Sequence, residues 1–138
     1  MTDHSTASGG CLCGAIRFVV EGEPYRVGLC HCLDCRKQGG APFGAFVIFA
    51  ADKVTFSGDE PGVFSGRRFC RNCGAPVYGR AEGSDEVELH LGSFDEIGLF
   101  VPSYELWVIR REPWLSAMGS IERHYERDRP QQDRRSEP

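Results

Sequence analysis

Cys30-His31-Cys32-Leu33-Asp34-Cys35 puts three thiols within six residues, and the other four of the chain's seven cysteines stand as pairs on either side, Cys11/Cys13 and Cys70/Cys73. An odd count would leave one thiol over in a disulfide framework. The CxC, CxCxxC and CxxC bites are instead those that chelate a metal, so the spacing favours reduced thiolates on zinc. Four cysteines close a tetrahedral structural site, and Cys11, Cys13, Cys70 and Cys73 supply such a set by joining the start of the domain to its middle. In the second pair, Cys70-Arg71-Asn72-Cys73-Gly74, the glycine permits the left-handed turn that aims backbone N–H groups at sulfur.

Cys30, Cys32 and Cys35 are then a tripod for which no cysteine remains as fourth ligand. Three protein ligands and one exchangeable position is the arrangement of catalytic zinc, which makes these three the candidate catalytic residues as well as metal ligands. A thiol bound at the fourth position would be held as a thiolate at neutral pH. The alternative left open is that His31, His90 or Glu105 fills that position and the second ion is structural too.

Outward from this stretch the chain reads as short strands. Ile16, Phe18 and Val20 alternate with Ala15, Arg17 and Val19 up to Gly22 and Pro24, and Tyr25 to Leu29 is a short extended run. Leu33 to Lys37 has no breaker and fits one helical turn, which Gly39-Gly40-Ala41-Pro42 stops before an apolar strand from Phe43 to Ala50, expected to be buried on both faces. Val54-Thr55-Phe56, Val63-Phe64-Ser65, Arg67-Arg68-Phe69, Pro76-Val77-Tyr78 and Glu86 to Leu91 read as further strands, and Tyr104 to Ile109 as a last one. The expectation is an all-β domain over residues 9–118. Residues 1–8 are read as a disordered N-terminus. Residues 119–138 are read as a charged tail, frayed or helical near Ile121 to Arg127, because five Arg and five Asp or Glu from Ser120 onward leave little to bury.

A length of 138 residues with 41% hydrophobic content fits one domain with a modest core, and metal staples would add to it. The net charge of −4 argues against a nucleic-acid binder, since phosphate neutralisation needs clustered Lys and Arg. The longest apolar run, Ala41 to Ala51, is far below the roughly 20 residues needed to span a bilayer. Met1 to Gly10 lacks the basic and apolar parts of a secretory signal, so the expected location is the cytoplasm.

The chain resembles the glutathione-dependent formaldehyde-activating enzyme family, also called the centromere protein V family. The likeness rests on Gly10-Cys11-Leu12-Cys13-Gly14-Ala15-Ile16, on Cys30 to Lys37 with Gly39, on Phe69 to Gly74, and on Trp107 and Pro113-Trp114. The resemblance implies a β-tent fold of small antiparallel sheets stapled by two zinc ions, a structural one on Cys11, Cys13, Cys70 and Cys73 and a substrate-facing one on Cys30, Cys32 and Cys35. It also implies that glutathione binds at the second ion and condenses with formaldehyde, a carbon–sulfur lyase reaction run backwards. One departure stands out: members commonly carry His two residues before the closing Trp, and here Glu105 precedes Leu106-Trp107.

Addition of a thiolate to a carbonyl leaves an alkoxide, for which Arg36, Lys37 and the backbone near Gly39 and Gly40 are the expected contacts. Phe43, Phe46, Phe49, Phe94, Trp107 and Trp114 are candidates either for a pocket or for the core, where aromatics on short strands usually sit. The competing function is a non-catalytic zinc-stapled module that binds a protein or chromatin partner.

Overall fold

The computed structural model describes residues 5–130. Eleven strands and one short helix follow one another as β1 (Thr6–Gly10), β2 (Ile16–Glu21), β3 (Arg26–Cys30), α1 (Leu33–Gly39), β4 (Gly44–Ala50), β5 (Val54–Gly58), β6 (Gly62–Phe64), β7 (Arg67–Phe69), β8 (Pro76–Gly79), β9 (Glu86–His90), β10 (Tyr104–Leu106) and β11 (Arg123–His124). β1, β2 and β5 form an antiparallel three-stranded sheet. The other eight strands form one sheet in the order β11-β10-β3-β4-β9-β8-β7-β6. The mostly-β architecture expected from the sequence is present, but the larger sheet is mixed: β10 runs parallel to both β3 and β11.

The inward alternation on β2 is as read, with Ile16, Phe18 and Val20 buried. At the centre of β4, Val47, Ile48 and Phe49 are all buried, which is the two-sided burial expected of that run. Val77, Val87 and Leu89 complete the layer, and Phe18 meets Phe94 edge to face at a 5.1 Å centroid separation. Cys11 and Cys70 belong to this same buried cluster, so one cysteine group sits at the margin of the hydrophobic core.

Three expectations are corrected. The domain begins earlier than residue 9: Thr6–Gly10 pairs with Glu21–Arg17, which overturns the disorder expected there, and residues 1–4 of that expectation lie outside the described residues. The last core strand is shorter than Tyr104–Ile109, because Trp107 takes a left-handed φ of 58° and ends the extended run after Leu106. Segment 121–127 is neither frayed nor helical. Ile121 is buried, Arg123–His124 pair with β10, and Tyr125 N–H donates to the Glu105 carbonyl at 2.9 Å. Residues 131–138 of the expected tail lie outside the described residues. Among those described, no helix is long and apolar enough to cross a membrane.

The parallel contact of β3 with β10 depends on Gly28, which lies beside Tyr104 in register. A Cβ at Gly28 would come within 2.2 Å of the Tyr104 ring, so no other residue fits without moving the ring. Gly28→Ala is therefore expected to lower the unfolding free energy of the metal-loaded protein by about 1–3 kcal/mol, the usual cost of overpacking, measured by denaturant titration.

Candidate metal centre

The first cysteine group is built by two similar turns. Cys11 and Cys13 follow β1, and Cys70 and Cys73 follow β7. Gly74 N–H closes back onto the Cys70 carbonyl at 2.8 Å with a φ of 79°, the left-handed conformation expected after the CxxC pair. The Sγ atoms of Cys11 and Cys13 lie 3.7 Å apart, as do those of Cys13 and Cys70. A tetrahedral zinc with Zn–S of about 2.3 Å requires sulfurs about 3.8 Å apart, so the spacing fits. All four sulfurs fall within 4.8 Å of one another.

The surroundings are arranged for thiolates. Ile16 N–H donates to Cys11 Sγ at 3.2 Å, Asn72 N–H and Cys73 N–H donate to Cys70 Sγ, and Asn72 Nδ2 donates to Cys13 Sγ at 3.3 Å. The Ala75 N–H, with further donors, holds the Cys73 thiol down at about 6. At Cys11 burial pushes the thiol up, and the Ile16 N–H and neighbouring thiols outweigh it to give a net lowering.

The second group lies where β3 passes into α1. Cys30 ends the strand, Cys32 is the helix N-cap and accepts from Cys35 N–H at 3.3 Å, and Cys35 stands in the first turn. Their sulfurs also fall within 4.8 Å of one another. The hydrogen bond with Cys35 is the largest influence lowering Cys30, to about 7, and the same contact with Cys30 is the largest influence pushing Cys35 up. One thiolate is thus stabilised and a second beside it repelled, a conflict that a divalent cation relieves. Both groups fit zinc by donor set.

None of the alternative fourth ligands joins the tripod. His31 points away: its ring is buried, its Nε2 meets Glu105 Oε1 at 2.7 Å, and its Nδ1 is without a partner. Glu105 is buried and saturated, its second oxygen accepting from Arg111 Nη2 at 2.6 Å and meeting His124 Nδ1 at 2.5 Å. Burial alone would push its carboxyl up; the donors from His124, Arg111 and His31 outweigh that and hold it down. This hub went unread in the sequence, because its members are scattered from residue 31 to residue 124.

Cys35 opens onto two clefts, of about 190 Å³ and 480 Å³, which have only Cys35 and His90 in common. Phe46, Arg67 and Glu88 line the first, and Gly39, Phe43, Gly44 and Phe94 the second. A third cleft of about 580 Å³, which shares Gln38, Ser65 and Arg67 with the first, runs past Asp34, Lys37 and Phe64 but reaches no cysteine. Of the expected substrate contacts, Lys37 and Gly39 therefore face clefts. Arg36 is engaged instead, donating to Glu112 Oε2 at 2.7 Å and to the Pro42 carbonyl at 3.3 Å. Gly40 N–H closes the helix onto the Arg36 carbonyl, which commits that donor. Of the aromatics, Phe43, Phe46 and Phe94 line the clefts, Phe49 is core, and Trp114 is largely exposed. Trp107 instead anchors the tail, its indole N–H donating to Asp128 Oδ1 at 3.0 Å.

Comparison with known proteins agrees with this geometry. The model of the glutathione-dependent formaldehyde-activating enzyme family matches residues 6–110, from the first strand through the loop after Trp107. A crystal structure of a Rhodobacter sphaeroides protein, a structural genomics target, is similar in fold, with a TM-score of 0.52 at 18% identity over 67% of this chain and 91% of that one.

The two groups predict different responses to ligand loss. Cys70→Ala should unfold the domain or sharply lower its melting temperature, because Cys70 is both core and ligand, whereas Cys32→Ser should keep the native far-UV spectrum. Metal analysis of the wild type should give about two zinc ions per chain. At Glu105, replacement by Ala strands three buried or half-buried donors and should cost about 3–5 kcal/mol at pH 7. Since the folded carboxyl is held below its unfolded value, that stabilisation is present above the unfolded pKa and fades on acidification through the folded one. The gap between wild type and Glu105→Ala, read from denaturant midpoints, should accordingly narrow below about pH 4.5.

Proposed function

The chain belongs to the glutathione-dependent formaldehyde-activating enzyme family, and we propose that it adds a thiol such as glutathione to formaldehyde or a related aldehyde at Cys30, Cys32 and Cys35. The observation that carries this reading is that the three sulfurs gather with no fourth ligand among the described residues while one of them faces two clefts. A zinc ion held there would bind one further thiol and keep it deprotonated at neutral pH.

The chain's own residues do the rest. Cys30, Cys32 and Cys35 fix the point of attachment because a strand end and a helix cap hold them in place. Gly44 lets the Phe46 ring pack close beside Cys35, where a Cβ would lie 2.7 Å from that ring, and Phe43 and Phe46 supply apolar walls to the clefts that Cys35 faces. In the addition a sulfur–carbon bond forms, the carbonyl π pair moves to oxygen, and the oxygen takes a proton equivalent to the one the thiol lost. The product is a hemithioacetal, and the reverse step is carbon–sulfur cleavage. Lys37, which faces the third cleft, is the better remaining candidate to meet a carboxylate of the thiol, since Arg36 is paired with Glu112. A reducing cytoplasm suits seven free thiols and a glutathione-dependent reaction.

Exchange spectroscopy on a mixture of glutathione and formaldehyde measures the adduct rate directly. The zinc-loaded protein is expected to accelerate exchange over buffer and Cys32→Ser to abolish the acceleration. No acceleration with glutathione or other thiols would overturn the reading in favour of a non-catalytic binding module.

A further inference from the structure

We propose that His90 is a catalytic residue of this site, donating a hydrogen bond to the aldehyde oxygen as the thiol adds. The inference rests on the thiol-addition reading and assigns to one side chain the stabilisation of charge that the addition creates.

The placement follows from the sheet. β9 alternates, with Val87 and Leu89 turned into the core and Glu88 and His90 on the opposite face. His90 lies in register with Phe46 of β4, and their rings are 4.9 Å apart. Phe46 in turn leans towards the metal loop. A Cβ built on Gly44 would lie 2.7 Å from the Phe46 ring and 3.6 Å from Cys35 Cβ, so ring, glycine and ligand share one small volume. His90 and Cys35 are the two residues common to both clefts at this point.

Two observations separate a donor from a fourth ligand. Neither ring nitrogen of His90 falls within 4.8 Å of all three sulfurs, so the imidazole does not complete the tetrahedron. Among the described residues the ring also has no protein hydrogen-bond partner, unlike His31 and His124, which are both held by Glu105. A half-buried imidazole that meets no protein donor or acceptor, at the junction of two clefts beside an open metal site, is placed to reach a molecule bound there.

The chemistry needs an N–H aimed at the carbonyl oxygen. Burial lowers the His90 pKa to about 4, so the ring is neutral at pH 7 and keeps one N–H to donate. Cys35 of α1, Phe46 of β4, Glu88 of β9, Arg67 of β7 and Arg80 after β8 line the smaller cleft together with it. As the S–C bond forms and the π pair moves to oxygen, the His90 N–H···O bond strengthens. The oxygen then takes its proton from solvent, which received the thiol's, and nothing is oxidised or reduced.

Phenylalanine keeps a ring against Phe46 without a donor, and glutamine keeps a donor without the ring. His90→Phe is expected to lower kcat/KM for glutathione–formaldehyde adduct formation by roughly 100-fold or more, the scale of losing one oxyanion donor. Glutathione affinity in the absence of aldehyde, measured by calorimetry, should stay within a few-fold of wild type, and His90→Gln should recover part of the rate. A His90→Phe enzyme as fast as wild type, or one whose glutathione affinity falls in step with its rate, would overturn the proposal while leaving the thiol-addition reading intact. An inert wild type overturns that reading and this proposal with it. Zinc content and far-UV circular dichroism verify each variant, with His90→Leu replacing a His90→Phe that does not fold.

Discussion

Sulfur atoms held at van der Waals distance repel once they ionise, and that repulsion is the constraint around which this protein is arranged. Cys11, Cys13, Cys70 and Cys73 come from the ends of β1 and β7, which lie in different sheets, so a cation held by all four would also join the sheets. Two of the four are buried in the same cluster as Phe18, Val47 and Leu89. Loss of a cation held there would leave thiolate repulsion at the edge of the core. A metal ion bound by these four cysteines would therefore couple its own binding to the stability of the core.

The second group is held by a different device. Its backbone is anchored from behind by Glu105, which draws His31 of the metal loop, Arg111 and His124 of the tail onto a single carboxylate. Three donors on one buried acid satisfy both oxygens and offset the cost of burying the charge. The histidine within the metal loop is thereby turned away from the sulfurs, and among the described residues no further His, Cys, Asp or Glu joins the three, of which Cys35 faces the clefts. Rigidity on one side and access on the other is what an exchangeable metal position requires.

Much of this was legible in the residues. Cysteine spacing gave the two groups correctly, and the alternation of Ile16, Phe18 and Val20 gave the inward face of β2. What escaped was of long range. The tail after Ser120 reads as solvated because its charges outnumber its apolar residues, yet Ile121 and the backbone of Arg123–His124 attach it to β10. β1 escaped because Thr6 to Gly10 is small and polar, and it is strand only through its ladder with β2. Likewise, a substitution of Glu105 for the usual histidine looks like a loss in the sequence. In the structure the carboxylate is matched by His31, Arg111 and His124, partners that no local pattern announces.

The small strand β11 has a further consequence. Without it, β10 would be the terminal strand of the larger sheet, with a row of free N–H and C=O groups open to any passing extended chain. Two residues of ladder, with Trp107 and Val108 N–H donating to the Arg127 and Tyr125 carbonyls, occupy that edge. The opposite edge, β6, is only three residues long. The segment after Ser120 thus leaves a rim strand of only two residues, a short template for any extended chain that would add to the sheet.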